Sequence, residues 1–237
     1  MDLLTTATAL DERTRGSRVA VLPVGSCEQH GDYLPLITDT VIAAAIANAL
    51  SEANDLWLLP PLTISCSPEH AGWPGTVSLR AETLIKIIED VAESARHNGA
   101  DRLVIVNGHG GNYVLGNIVQ EANVREPTMV LFPSRDDWDD VRQVAGLETS
   151  SREDMHGGEL EVSVLLHVAP ELVAEGVENS DHDAAYRPHL LTVGMRGYTP
   201  TGIIGRPSLA TADKGAAIIE GLMKSFESHL RLLTADA

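Results

Sequence analysis

Only two cysteines, Cys27 and Cys66, occur in the 237 residues. Two are too few for a disulfide framework, and both follow apolar stretches where a thiol packs as a small apolar group. A reactive Cys27 beside the polar stretch described below is the lesser alternative. A run of about 18 apolar residues is also missing, which excludes a membrane-spanning helix. The first residues, Met1 to Thr6, hold neither a basic segment nor a long apolar run, so no signal peptide is expected. Basic residues are scarce, with 17 Lys and Arg against 34 Asp and Glu and a formal net charge of −17. Such a surface repels nucleic-acid phosphates and anionic membranes and excludes both as partners. Most of this charge serves solubility, while a few acids remain as candidate metal ligands. The expectation is a soluble, cytoplasmic protein.

Hydrophobic residues make up 43% of the chain, enough for a full core. No repeat, low-complexity tract or linker interrupts it, so residues 1–237 are expected to form one domain. Residues 1–17 are polar and predict a short leading helix and loop. Apolar runs at 18–24, 56–59, 103–106 and 129–132 predict strands, the first without alternation, as for a strand covered on both faces. Helical periodicity predicts helices over 40–54, 80–97 and about 113–124, and a final helix over 210–233 with a break near Lys214 and Gly215. Residues 134–154 read as acidic and irregular, and 169–209 as mostly loop. Another helix opens near His156 and ends near Val168. Alternating strands and helices predict an α/β fold: a mainly parallel sheet between helices, joined by right-handed crossovers.

The chemistry collects after the strands. Residues 20–40 pass from an apolar run through Gly25 and Ser26 to Glu28, His30 and Asp39. Glu28 and His30 are two apart and share a side of an extended segment. Asp39 stands where a helix N-cap belongs, with Thr38 and Thr40 as rivals. Two carboxylates and an imidazole suit a zinc-, manganese- or iron-type ion. In open α/β sheets ligands bind beyond the carboxyl ends of the strands. The second loop there, Asn107 to Asn112, brings His109 between glycines as a partner ligand. Alone, such a glycine loop would equally cradle a phosphate. A third piece holds His156, Glu159 and Glu161. His156 and Glu161 converge only if the histidine sits in the loop and the helix starts near Gly158. Spacing alone leaves Glu159 and Glu161 as alternatives.

These pieces, in order, resemble the creatininase (creatinine amidohydrolase) family. The match rests on Gly25-Ser26, Glu28-Gln29-His30-Gly31, Leu34-Pro35-Leu36 and Thr38-Asp39. It continues through Glu69-His70, Pro74-Gly75-Thr76, Asn107 to Asn112, and His156, Gly158 and Glu161. Gly202 to Pro207 and Ala210 to Gly215 match a C-terminal signature. The resemblance implies a three-layer α/β/α sandwich, a homo-oligomer (usually a hexamer) and two divalent ions per chain. It implies that Glu28 and His109 hold one ion, His30 the other, and that Asp39 bridges both. It selects Glu161 as the fifth ligand and His156 as the catalytic histidine. The implied reaction is hydrolysis of a C–N bond by a metal-bridging hydroxide, with His156 passing a proton to the leaving nitrogen. Glu69 and His70 are expected at the rim as substrate contacts or supports, and Gly110 and Gly111 beside the substrate.

Where creatininase itself carries Tyr and Glu, this chain has Gly110 and Gly111. It also has Gly31-Asp32-Tyr33 in place of a Gly-Pro-His, and no clear equivalents of creatininase's substrate-clamping tryptophans. These departures point away from creatinine. They bring the chain nearer to members with the open glycine loop, which resemble a mycofactocin-precursor peptidase and a formamidopyrimidine deformylase. The expected activity is metal-dependent hydrolysis of an amide, formamide, cyclic amide or short peptide. The alternatives are a mycofactocin-type peptidase, phosphate-ester chemistry, and a non-catalytic metal-binding subunit.

Overall fold

The computed structural model describes residues 4–235. The expectations for the first three residues lie outside it. The elements are α1 (Ala9–Arg15), β1 (Val19–Val24), α2 (Thr38–Asn54), β2 (Trp57–Leu58), α3 (Ala81–His97), β3 (Arg102–Asn107), α4 (Val114–Ala122), β4 (Met129–Phe132), α5 (Arg135–Val144), α6 (Glu159–Val168), the one-turn α7 (Leu190–Val193) and α8 (Ala212–Thr234). The four strands are all parallel, in the order β2-β1-β3-β4. No described helix is long and apolar enough to cross a membrane.

Successive side chains of a strand point to opposite faces, and the core divides accordingly. Val19 and Val21 of β1 and Val104 and Val106 of β3 pack against Ile42, Ile46 and Leu50 of α2 and Ile218, Leu222 and Phe226 of α8. Ala20, Leu22, Leu103 and Ile105 pack on the other side against Leu84 and Ile88 of α3 and Leu115 and Ile118 of α4. The result is the expected α/β/α sandwich. Each large side chain so buried contributes about 1.5–3 kcal/mol.

Register places the site. Val24 pairs with Asn107, so β1 and β3 end level and their loops start side by side. The first turn of α2 drops onto both ends. A β-carbon on Gly25 would collide with the backbone of Thr40, and one on Gly108 with the carbonyl of Asp39. These two glycines let Asp39 reach the strand ends. Gly25→Ala is therefore expected to cost about 3 kcal/mol, because backbone rather than a flexible side chain stands in the way. Gly110→Ala, with nothing within 4 Å of its β-carbon, should leave the urea midpoint where it was. Equal midpoints for the two variants would contradict this packing.

Three expectations are corrected. Residues 134–154 are not irregular: α5 forms there, because Ser134 and Asp137 make a capping box and Val141 and Trp138 turn to the core. Asp39 is not an N-cap. Helix α2 begins at Thr38 after Ile37, and no side chain caps it. Helix α8 runs unbroken through Gly215, whose missing side chain lets α8 approach the Ser163 carbonyl of α6. Both cysteines are free thiols, Cys66 being buried.

Candidate metal centre

Glu28, His30, Asp39, His109 and His156 come together in the interior above the ends of β1 and β3, each at most 4% exposed. Asp39 sits between two histidines. Its Oδ2 lies 3.0 Å from Nδ1 of His109, and its Oδ1 lies 3.1 Å from Nε2 of His30. Glu28 Oε1 stands 3.1 Å from the same His109 nitrogen, and Glu161 Oε2 stands 3.7 Å from the same His30 nitrogen. Four donor groups among the described residues are each compact enough for one ion; besides Glu28-His30-His156 and Glu28-Glu69-His70, two of them, Glu28-Asp39-His109 and His30-Asp39-Glu161, are built around Asp39. These last two share only Asp39, which offers one oxygen to each side.

The rings are aimed from behind. Nε2 of His109 is 2.9 Å from the Cys66 carbonyl, and Nδ1 of His30 is 3.1 Å from the Glu28 carbonyl. A carbonyl only accepts, so these nitrogens carry hydrogen and the opposite ones face the carboxylates. That arrangement fixes the tautomer of a metal-ligating histidine. Ser26 donates to Asp39 Oδ2 at 2.7 Å.

The electrostatics call for cations. Both oxygens of Glu28 are buried without a hydrogen-bond donor among the described residues. The nearby His109 nitrogen is close enough for an ion pair but is not aligned as a hydrogen bond. Burial, with the Asp39 carboxylate beside it, pushes Glu28 upward. Burial also lifts Glu161 to about 8. Burial opposes a charge on His30, but Asp39, Glu161 and Glu28 outweigh it and raise its pKa to about 9. The same contest raises His109 well above its ordinary value, through Glu28, Asp39 and Glu69. Asp39 is held well below the usual range, since His30 and His109 overcome its burial. A buried carboxylate without donors is costly unless a cation answers it, and this donor set fits divalent ions of the zinc or manganese type.

A pH dependence follows for metal-stripped protein. Above pH 6.5 an unfolded chain has released its histidine and carboxyl protons, whereas folded His30 and Glu161 hold theirs until about 9 and about 8. The folded state then binds more protons, so its stability falls as pH rises from 6.5 to 9, by about 1.4 kcal/mol per pH unit for each excess proton. Thermal unfolding with chelator should show this decline, and manganese or zinc should flatten it. A rise with pH in chelator would contradict the arrangement.

The third segment settles the geometry that spacing left open. His156 lies in the loop, and α6 starts after Gly158. Asp154 caps that helix from outside, accepting from the backbone N–H of Glu159 at 2.8 Å and of Leu160 at 3.0 Å, and pairs with Arg142 at 2.9 Å. The C-terminal signature holds the other side. His156 and Ile204 exchange backbone hydrogen bonds at 2.9 Å in each direction. Glu161 accordingly faces His30. Glu159 faces away, taken up by the backbone of Glu148 and Thr149, the Thr149 hydroxyl and Lys214.

Glu69 and His70 are not at the rim. The His70 ring is buried among the site histidines, with its centroid 4.5 Å from that of His156. The Glu69 carboxylate lies 3.4 Å from His109 Nε2 and fills the space a side chain at Gly111 would need. Only Gly110 of the four substrate-contact candidates lines the open cleft of about 690 Å³ above the site, together with His109, His156 and Glu161. Sequence reasoning missed Gln29 as more than a motif letter. Its side chain donates to His70 Nδ1 at 3.0 Å and to the Gly202 carbonyl at 3.1 Å. Its own carbonyl lies 2.6 Å from His156 Nε2. Gly202 must be glycine there, because a β-carbon would collide with the Gln29 amide.

Residues 4–230 match the family model described as creatininase, creatinine amidohydrolase. A mycofactocin precursor peptide peptidase of Mycobacterium ulcerans (strain Agy99) is 35% identical over 89% of this chain and 83% of its own length. The creatinine amidohydrolase of Pseudomonas putida is 26% identical over 91% and 90%. Among solved structures, a mutant creatininase of the Zn–Zn type superposes with a TM-score of 0.82, covering 98% of both chains at 24% identity, which shows the shared fold. The chain belongs to the creatininase family.

Proposed function

We propose that this single-domain chain is a metal-dependent amidohydrolase with two divalent ions. In this reading Glu28 and His109 would hold one ion and His30 and Glu161 the other, with Asp39 offering an oxygen to each. The observation that carries it is Asp39, which turns one oxygen to each of two histidines beside a donorless Glu28. When bound, such ions acidify water and polarise an amide carbonyl. The chain's own residues supply the rest. Burial, with the charged His30 ring beside it, holds His156 well below its ordinary pKa, so it is neutral at pH 7. Its Nε2–H donates to the Gln29 carbonyl, which leaves Nδ1 as the basic atom, 3.8 Å from Glu28 Oε1. A proton taken at Nδ1 is then available to the leaving nitrogen. His70, pushed down to about 4 by burial, stays neutral and contributes no competing charge.

An acyclic amide or short peptide fits better than creatinine. Gly110 leaves the cleft open, and the relatives at 34–35% identity act on a precursor peptide. A phosphate cradle fits poorly: the space spared at Gly108 is taken by the Asp39 carbonyl, and that at Gly111 by the Glu69 carboxylate. A cytoplasmic homo-oligomer completes the proposal, and sedimentation tests the assembly. The decisive experiment joins elemental analysis to a screen of amides and short peptides. About two equivalents of zinc, manganese or iron with hydrolysis is the expected result. Hydrolysis that persists after complete metal removal would sink it.

A further inference from the structure

The cleft is lined by four arginines, Arg135, Arg142, Arg152 and Arg187. That is unusual in a chain where acids outnumber bases 34 to 17. Two of them are already answered: Arg142 by Asp154 at 2.9 Å, and Arg135 by Asp139 at 3.7 Å. Arg152 and Arg187 have no carboxylate within 4.0 Å among the described residues. Arg152 spends its Nε on the Ala185 carbonyl at 3.2 Å. Arg187 is partly buried and pinned by one nitrogen. Its Nη1 donates to the carbonyls of Arg152 at 2.7 Å and Ala184 at 2.9 Å. Its Nε and Nη2 have no partner among the described residues. A guanidinium held by one nitrogen, with its remaining donors free, is prepared for a two-point grip on a planar anion. The neighbouring Arg152 makes that demand stronger, because two like charges lie together without an acid between them. Tyr113 and Trp138 line the same cleft and give the substrate an apolar flank. The floor of the cleft is His109, His156 and Glu161.

We infer that the substrate is an amide that also carries an anionic group, a carboxylate or a phosphate, and that Arg187 with Arg152 binds this group at the mouth while the amide lies over the histidines. This inference rests on the amidohydrolase reading for the second half of that arrangement only. It also gives an anion a place to bind on a protein of net charge −17: Arg152 and Arg187 are the two cleft arginines with no carboxylate within 4.0 Å among the described residues.

The test uses metal-loaded protein and two matched probe pairs. One pair is N-acetyl-alanyl-alanine and its C-terminal amide; the other is N-acetyl-phosphoethanolamine and N-acetyl-ethanolamine. Binding is read by calorimetry and turnover by initial rates. The charged member of one pair should bind on the order of tenfold to a hundredfold tighter than its neutral partner, and the pair that does so names the anion. Arg187→Gln should erase that preference through KM with kcat largely kept, and Arg187→Lys should retain part of it. Arg152→Gln should weaken the preference too, which covers a loop collapse in the first variant. Equal binding of charged and neutral probes by the wild type overturns the inference, as does a preference that survives Arg187→Gln, or no binding of either anion. Selective anion binding without any hydrolysis leaves the anion site standing and removes the amidohydrolase reading. Equal turnover of both members does the reverse.

Discussion

Alanine at His109 is expected to leave the protein with about one equivalent of metal or less and to lower amide hydrolysis by about a thousandfold or more. The reason is geometric. Nδ1 of His109 is the one imidazole nitrogen that meets both Glu28, at 3.1 Å, and Asp39, at 3.0 Å. Without it the first donor group is two carboxylates, and Glu28 loses its only positive neighbour within 3.1 Å among the described residues. The metal-free variant should also unfold more easily, by about 3–5 kcal/mol, because breaking a buried charge pair leaves the remaining charge unanswered. Elemental analysis after dialysis, initial rates and urea unfolding check the three parts separately. Retention of two equivalents with an unchanged rate would remove His109 from the centre. A metal-free chain that loses no stability would show that the carboxylates are not charged as argued.

The parallel sheet was legible because its strands are continuous apolar runs, and the three-layer arrangement follows from the helices between them. The meeting of Glu28 with His109 was legible too, since both follow strand ends and the topology brings those ends together. Helix α5 was not, because its first residues, Arg135, Asp136 and Asp137, look like a solvated loop, and the Ser134–Asp137 capping box was overlooked. The depth of His70 was hidden as well. Nothing in Pro68-Glu69-His70 shows that Gln29, forty-one residues earlier in the chain, reaches across to hold that ring. Gln29 is the clearest lesson: a polar residue between two candidate ligands spends its bonds on holding His70, His156 and the Gly202 carbonyl in place.

The sharpest contrast left by the geometry lies within one turn of α6. Glu159 and Glu161 differ little in sequence, yet they should fail in opposite ways when changed to glutamine. Glu159 is fully buried and is held by backbone N–H groups, the Thr149 hydroxyl and Lys214 at 2.5 Å. Burial raises its pKa, but Lys214, Thr149 and Glu148 overcome that and hold it below its ordinary value, so it is a charge the fold relies on. Glu159→Gln should cost about 2–4 kcal/mol in urea unfolding, with metal content unchanged. Glu161 accepts from the Gly157 N–H at 2.6 Å and otherwise faces His30 and Asp39, with its pKa lifted to about 8 by burial. Its charge is unwelcome in the metal-free fold, so Glu161→Gln should leave chelator-treated protein as stable as before or more so. The same change should lower hydrolysis by at least about a hundredfold, because the second ion loses its carboxylate while Asp39 and His30 remain. Unfolding curves with chelator, metal content and initial rates on both variants decide the matter. If Glu159→Gln lost the metal and Glu161→Gln lost only stability, α6 would be rotated by about half a turn from this orientation, and the fifth ligand would change with it.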